Sequence, residues 1–255
     1  MLIDAHVHIF PNVDGYGPKG HTHGAGYGRI DAGDGIAQDV LPAINENTSH
    51  TLQMLLHEMR QAQVDKAVLI LCPCYGDWSE YVLQACRDYP EQFTASAFFD
   101  PWSPAARQYY AEKLEGSLWK NIKIEFSEAG GLYGVYPGVQ LDAPELRWLW
   151  EAMEAGGKTV SFDLGRPGDG SYQTDQIASI AKRHPGLKIV LCHMGQPSRA
   201  AERNPELWSA WLEQIRLGKL SVCPKKTPES YPDRRNNQHN SGPIPSGLFH
   251  NRTQE

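Results

Sequence analysis

The sequence lacks long hydrophobic runs, a leader-like N-terminus and an excess of basic residues. No apolar stretch approaches the ~20 residues that a membrane-spanning helix needs. Asp4 and His6 interrupt the apolar residues at the N-terminus, which carries no basic segment, so it does not resemble a signal peptide. The 24 basic and 30 acidic residues give a net charge of −6, which provides no electrostatic attraction for nucleic acid. We therefore expect a cytoplasmic protein without a membrane or nucleic-acid partner.

Cysteine is also scarce, with five residues in a chain of 255, at positions 72, 74, 86, 192 and 223. Their odd number and their places in or beside predicted strands and helices favour the reduced thiols of a cytosolic protein. Cys72 and Cys74 are an alternative metal-binding pair, but no second pair at zinc-site spacing accompanies them.

The first ten residues, MLIDAHVHIF, form an apolar run that carries polar residues at every second position. This pattern predicts a buried strand, in which His6 and His8 share one face with Asp4 one step deeper. Two neutral imidazoles side by side can bind one divalent ion. Two hydrogen-bonded core histidines are the alternative interpretation.

Residues 11–47 are rich in Gly, Pro, His and Asp and show little periodicity. We predict a long connection, of the kind that is usually functional or disordered. It contains a second His-x-His pair, His21 and His23, within KGHTHGAGYG. With glycines around it and no strand to orient the rings, this pair is expected to lie in a solvated loop.

Beyond residue 47 the sequence alternates between strand-like and helix-like segments, giving six strand–helix units with the N-terminal strand. Such alternation, with apolar strands, predicts a parallel sheet covered by helices. We therefore predict an α/β fold, a TIM-like (β/α) barrel that is incomplete because a closed one has eight units. After the N-terminal one, the predicted strands are 66–72, 94–100, 121–127, 158–165 and 187–193.

Capping signals and apolar spacing locate the helices. One is expected to begin near Thr48 or Ser49, another at Ser103 with Pro104 in its first turn, and a third at Asp142. Further helices are predicted through Val82, Leu83 and Cys86, from Thr174 through Ile180, and from Asn204 and Pro205 through Ile215.

The pattern stops near Leu220. Residues 221–255 are rich in Pro, Asn, Ser and charged residues, a composition that cannot bury enough apolar surface to fold. We predict a barrel domain over 1–220 and a disordered tail over 221–255, with His239 and His250 in solvent.

In barrel enzymes, reactive residues lie at the C-terminal ends of the strands. Lys123 and Glu125 are two residues apart on one predicted strand, so their side chains share a face and both can point into the barrel. We expect them to form an ion pair there, with either a structural or a catalytic role. Asp163 is a metal ligand or a carboxylate that caps a loop, and His193 precedes a Gly/Pro turn, where a functional role is favoured. Other polar residues at predicted strand ends are Cys72, Cys74 and Asp100.

The segments DAHVHIF, DKAVL, FFDPW, IKIE, SYQTD and HMGQP together resemble the amidohydrolase superfamily over roughly residues 1–219. Its amidohydrolase-related branch, which includes aminocarboxymuconate-semialdehyde decarboxylase-like enzymes, is the most similar. The His-x-His pair also occurs in PHP phosphoesterases and TatD-type nucleases, but no GEIGLD-like fourth strand favours the nucleases.

The resemblance implies a divalent ion, with zinc the expected metal, held by His6 and His8. It assigns His193 to the sixth-strand histidine, a ligand or catalytic acid–base. Asp163 stands where the family has a fifth-strand histidine, and the eighth-strand aspartate has no counterpart. We predict His193 and Asp163 as catalytic residues, surrounded by Asp4, Lys123 and Glu125.

The function that the resemblance implies is metal-dependent hydrolysis of a C–N or C–O bond in a small organic substrate. The alternatives are a non-oxidative decarboxylase of a small carboxylic acid and a catalytically impaired, truncated family member. Open strand edges in an incomplete barrel would favour homo-oligomers.

Overall fold

The computed structural model describes residues 1–17 and 19–219, and two sheets form its framework. The larger is parallel and has six strands, which lie side by side in their order along the chain. Its strands are β1 (Ile3–Val7), β6 (Lys66–Ile70), β7 (Phe93–Phe98), β8 (Trp119–Glu125), β9 (Thr159–Asp163) and β10 (Lys188–Leu191). The smaller is antiparallel and consists of β2 (Asp14–Gly17), β3 (Gly20–Gly24), β4 (Arg29–Asp31) and β5 (Ala37–Asp39).

Helices connect the parallel strands. They are α1 (Leu52–Ala62), α2 (Ser79–Asp88), α3 (Ala106–Tyr109), α4 (Leu132–Val135), α5 (Arg147–Ala155), α6 (Thr174–Arg183), α7 (Arg199–Glu202) and α8 (Pro205–Arg216). A π-helical turn continues α3, and short 3₁₀ segments precede α5 and follow β10 and α8. None of the described helices is long and apolar enough to cross a membrane.

The core lies between the parallel sheet and its helices. Leu69, Ile122 and Val160 are fully buried on the strands, and Leu149 and Met153 on α5 are fully buried opposite them. Burial of this apolar surface stabilises the sheet, at roughly 25 cal/mol per Å² removed from water. The predicted α/β alternation is confirmed.

The first and last strands of the parallel sheet have no outer neighbour among the described residues. Ile3 on β1 and Val190 on β10 are accordingly exposed, at 47% and 42%. A closed (β/α)8 barrel contains eight strands. The predicted incomplete barrel of six units is confirmed in the described part of the chain.

Three predicted helix starts differ in detail. The N-cap of α1 is Thr51, not Thr48 or Ser49, because the Thr51 side chain accepts the hydrogen bond from the Met54 N–H. Ser103 initiates a turn through its backbone carbonyl, and α3 begins only at Ala106. Asp142 does not cap a helix, since its carboxylate pairs with Arg183 instead. The cap at Asn204 is confirmed.

We predicted a long connection over 11–47 with no strand to orient the His21 and His23 rings, and the absence of a strand was wrong, because all four strands of the small sheet lie within it. Its strands have three to five residues, with Gly and Asp in place of an apolar alternation. Backbone pairing holds them together, with few buried side chains such as Thr22 and Ile30. His21 and His23 therefore lie on a strand, β3, although both side chains are about half exposed as expected for solvated residues.

The small sheet is joined to the turn that follows β6. The N–H of Tyr16 donates to the carbonyl of Pro73 at 2.9 Å, and the Asp14 N–H donates to Tyr75 at 3.1 Å. Gly15 lies between these bonds, and a Cβ there would be only 2.1 Å from the Pro73 oxygen. Only glycine allows the two backbones to approach this closely.

Replacing Gly15 by alanine should therefore separate β2 from the turn and lower the free energy of unfolding by about 1–3 kcal/mol, the usual cost of overpacking. Gly17→Ala on the same strand is the matched control, since a Cβ there would be 3.4 Å from the Thr22 methyl group, an ordinary contact. Urea denaturation of both variants is the measurement. Equal stabilities would contradict the close approach.

The predicted tail over 221–255, with His239 and His250, lies outside the described residues.

Candidate active site

His6 and His8 lie at the C-terminal end of β1 with their ring centroids 5.0 Å apart. Nδ1 of His8 is 2.7 Å from the backbone oxygen of Ile70. Because a carbonyl only accepts hydrogen bonds, Nδ1 carries the proton and Nε2 keeps its lone pair. The tautomer of His8 therefore leaves Nε2 able to coordinate a metal ion.

His193 and Asp163 reach the same place from the last two strands. The His193 ring lies 4.8 Å from that of His6, and its Nε2 is 3.0 Å from Oδ2 of Asp163. Asp163, the last residue of β9, is buried, whereas the His193 side chain is 45% exposed. The fold thus brings His6, His8, His193 and Asp163 together, although they are far apart in sequence.

Lys123 and Glu125 extend this cluster along β8. Nζ of Lys123 lies 3.0 Å from Oε2 of Glu125 and 3.7 Å from Oδ2 of Asp163. The parallel register, which pairs Glu125 with Asp163, places the two carboxylates on either side of the ammonium group. Burial opposes the charge of Lys123, but its neighbours, of which Glu125 has the largest effect, outweigh it and raise its pKa to about 12.

The protonation of the β1 histidines follows from their surroundings. Burial, followed by the charge of Lys123, lowers the pKa of His6 to about 4. Burial lowers the pKa of His8 to about 3, against the opposing effect of the Ile70 carbonyl. Both rings are neutral at pH 7, which is the form that binds metal ions.

The loop that carries His193 has an unusual backbone. Residues His193, Met194, Gly195 and Gln196 all have positive φ, between 50° and 70°. The Tyr172 hydroxyl donates to the Gly195 carbonyl and the Trp211 indole N–H donates to the Met194 carbonyl, each at 2.9 Å. Non-glycine residues in this conformation are strained, and such strain is typical of functional sites.

Gln196 is a site residue that the sequence interpretation missed. Its Nε2 donates to Oδ1 of Asp163 at 2.8 Å, so Asp163 is held by Gln196 on one oxygen and by His193 on the other. Gln196 belongs to the HMGQP segment that carried the family resemblance, but the segment alone does not show which residue the amide contacts.

The remaining strand-end residues take different places. Asp4 is exposed, and its carboxylate accepts the backbone N–H of His6 at 3.1 Å. Asp100 is directed at other partners, the Tyr136 hydroxyl and the Trp102 N–H, each at 2.9 Å. Asp100 is therefore not part of the cluster.

Two cavities adjoin the cluster. An open depression of about 250 Å³ is lined by His6, His8 and Tyr75 among others. A larger cavity of about 530 Å³ is bordered by β2, by the turn after β6 and by residues 127–132, and among the clustered residues only Glu125 lines it. The depression gives access to the histidines, and the larger cavity has a volume of the size that small-molecule sites have.

The clustered side chains are of types that bind a divalent ion. Neutral imidazoles and a carboxylate suit zinc and similar ions. Within residues 1–17 and 19–219, no three His, Cys, Asp or Glu side chains converge closely enough to hold an ion. In the part of the chain that the structure describes, His6 and His8 thus supply two fitting donors.

Comparison with known proteins gives a family and a fold. The sequence matches the profile of the family described as amidohydrolase over residues 3–231. The match extends beyond Leu220, where the motifs found in the sequence end. No functionally curated protein matches the chain.

Among solved structures, a probable 2-pyrone-4,6-dicarboxylic acid hydrolase from Acinetobacter baumannii, with citric acid bound, has a TM-score of 0.53 and 15% identity, covering 84% of this chain and 66% of its own. An uncharacterized TIM-barrel protein from Bordetella bronchiseptica has a TM-score of 0.47 and 17% identity, covering 64% of this chain and 57% of its own. An amidohydrolase from Burkholderia multivorans with bound HEPES has a TM-score of 0.48 and 19% identity. The match covers 86% of this chain and 67% of that amidohydrolase. The chain thus spans less than two thirds of the length of the first two structures. At 15% identity, the first likeness supports the fold alone.

Proposed function

The chain belongs to the amidohydrolase family, and on that premise we propose that it is a metal-dependent hydrolase that cleaves a C–N or C–O bond in a small organic substrate. The observation that carries the proposal is the meeting of His6, His8, His193 and Asp163 at the C-terminal edge of the parallel sheet. This is the edge at which enzymes with this architecture hold their reactive residues.

His6 and His8 are the residues that would hold the divalent ion, with zinc the metal we expect. Both rings are neutral, and the bond to Ile70 leaves Nε2 of His8 available. When bound, such an ion supplies water activation and polarisation of a substrate oxygen. Because residues 1–17 and 19–219 supply only part of a ligand set, we expect weak metal affinity.

His193 and Asp163 form the proton-transfer pair of the proposed reaction. The carboxylate of Asp163 accepts a hydrogen bond from Nε2 of His193 and so orients the ring. Nδ1 is then the nitrogen that takes the proton of the attacking water. The same nitrogen then returns the proton to the departing nitrogen or oxygen of the substrate. Lys123 balances the charge of Asp163, and Gln196 fixes the direction of its carboxylate.

Metal content tests the metal-binding role of His6 and His8. At a fixed free zinc concentration, the His6→Ala/His8→Ala variant should retain less than about one tenth of the wild-type metal. Removing only a residue that hydrogen-bonds to a metal ligand already costs about 10–100-fold in metal affinity, and this variant removes the ligands themselves. The His21→Ala/His23→Ala variant is the matched control, because it removes the same motif from the exposed strand β3. Elemental analysis is the measurement, and equal metal in the two variants would refute the assignment.

Turnover tests the reaction class. The zinc-loaded full chain should hydrolyse at least one member of a panel of lactones, amides and esters that bear carboxylates. Release of carbon dioxide from aromatic acids in the same assay, without hydrolysis, would favour non-oxidative decarboxylation instead. Metal binding without turnover on either panel would contradict the enzymatic proposal while leaving the metal assignment intact.

A further inference from the structure

Two thiols face each other in the wall of the larger cavity. Cys72 and Cys74 follow β6, are both half-buried and both line the space. Their Sγ atoms are 2.7 Å apart. That separation is about 0.7 Å longer than a disulfide bond and well inside the ~3.5–4.0 Å at which unbonded heavy atoms usually meet. The two sulfurs are therefore positioned for a reaction between them.

The backbone around this pair is held in place. The carbonyl of Cys72 accepts the Tyr75 N–H at 3.0 Å, and the carbonyl of Cys74 accepts the Thr22 hydroxyl at 2.5 Å. Pro73 has a fixed φ and restricts Cys72 to extended conformations. Little conformational entropy is then left to lose when the sulfurs react, since the turn already holds them together.

The other described cysteines have a different chemistry. Burial raises the pKa of Cys86 to about 11 and that of Cys192 to about 12, so both remain thiols at neutral pH. At Cys72 the hydrogen bond from the Cys74 thiol lowers the pKa, which favours the thiolate there. This direction favours Cys72 over Cys74 as the attacking thiol of the pair.

We propose that Cys72 and Cys74 form a reversible intramolecular disulfide by exchange with a small-molecule disulfide such as glutathione disulfide. The Cys72 thiolate attacks one sulfur of the small disulfide, forms a mixed disulfide and releases one small thiolate. Cys74 then loses its proton to solvent and attacks Sγ of Cys72, which expels the second small thiolate. The protein loses two electrons and two protons, and the small disulfide is reduced to two thiols.

This modification needs neither a metal ion nor turnover, so it stands apart from the proposed hydrolysis. The modification takes place in the wall of the larger cavity and can therefore affect that cavity. The turn that contains the two cysteines also binds β2 and β3 through Pro73 and Cys74. A bond between the sulfurs therefore forms at the junction of the cavity and the small sheet.

Peptide mapping tests the proposal. The full chain carrying Cys223→Ser, in which every remaining cysteine lies among the described residues, is incubated with glutathione disulfide and then alkylated with N-ethylmaleimide. We expect the peptide containing Cys72 and Cys74 to lose two hydrogen atoms and to escape alkylation, while Cys86 and Cys192 gain no glutathione. Dithiothreitol should restore alkylation of both.

Single variants identify the order of the steps. Cys74→Ser should accumulate a glutathione adduct on Cys72, because the resolving thiol is absent, whereas Cys72→Ser should leave Cys74 largely unmodified. Alkylation of both cysteines after oxidation, or a wild-type reaction that stops at the glutathione adduct, would overturn the proposal. If a serine variant fails to fold, the mapping of the chain with both thiols present decides alone.

Discussion

Replacing Lys123 by methionine is expected to lower the free energy of unfolding by about 3 kcal/mol, the lower end of the 3–5 kcal/mol typical when one partner of a buried pair is removed. The Lys123 side chain is 5% exposed and lies between Glu125 and Asp163. Without it, the two carboxylates face each other without a cation. The lower end applies because the Glu125 side chain retains 19% exposure and water can solvate it in part.

Lys158 provides a matched control for this measurement. Lys158 is buried to the same extent as Lys123, but its Nζ donates to the Trp119 carbonyl at 2.7 Å and pairs with no carboxylate among the described residues. Lys158→Met should cost only about 1 kcal/mol, the value of one hydrogen bond. Urea denaturation compares the two variants. Equal losses would show that Lys123 contributes by its packing and not by its charge.

Asp163→Asn is expected to reduce kcat by about 10²–10⁴-fold, the usual contribution of acid–base catalysis. Asparagine keeps the shape of the side chain but removes the charge that orients and stabilises His193. The fold should persist, because Lys123 keeps Glu125 as a partner at 3.0 Å. This prediction depends on the proposed hydrolysis, and the measurement is steady-state kinetics on a substrate found in the panel.

Asp100→Asn is the corresponding control. Asp100 is also a carboxylate just after a strand of the parallel sheet, but it bonds to Tyr136 and Trp102 and not to the histidines. Its replacement should leave kcat unchanged. A loss at Asp163 that appears only in KM would contradict a role in proton transfer and would indicate a role in substrate binding.

The parallel sheet was predictable because its strands are short apolar runs and its helices have apolar faces at helical spacing. Leu146, Leu149, Trp150 and Met153, for example, recur at helical spacing and are all buried. The exact start of α3 was not predictable from Ser103 and Pro104, since a turn and a π-helical segment replace a regular helix there.

The small sheet escaped prediction because side-chain patterns do not define it. Its strands are held by backbone hydrogen bonds, and a central strand such as β3 carries Gly, His and Thr with only Thr22 buried. What positions it is the close approach of Gly15 to Pro73, a contact between segments far apart in sequence. No local pattern records such a contact.

The candidate site was predictable in its residue types but not in its contacts. The alternation of side chains along a strand predicted that His6 and His8 share one face. The positions of Asp163 and His193 at the ends of predicted strands made them candidate site residues. The bond from Gln196 to Asp163 depends on a left-handed loop, and the contact of Lys123 with Asp163 depends on the register of β8 and β9. Both are tertiary features that hydrophobic periodicity does not encode.

The left-handed loop has a consequence for laboratory evolution. Each non-glycine residue in this conformation stores of order 1 kcal/mol of conformational strain. Met194, with a φ of 52° and a side chain largely in solvent, loses little contact when it is shortened. Selection for thermal stability should therefore repeatedly choose glycine at this position. Because the same loop orients His193, the selected variants should lose activity as they gain stability, and position 194 marks a trade-off between the two.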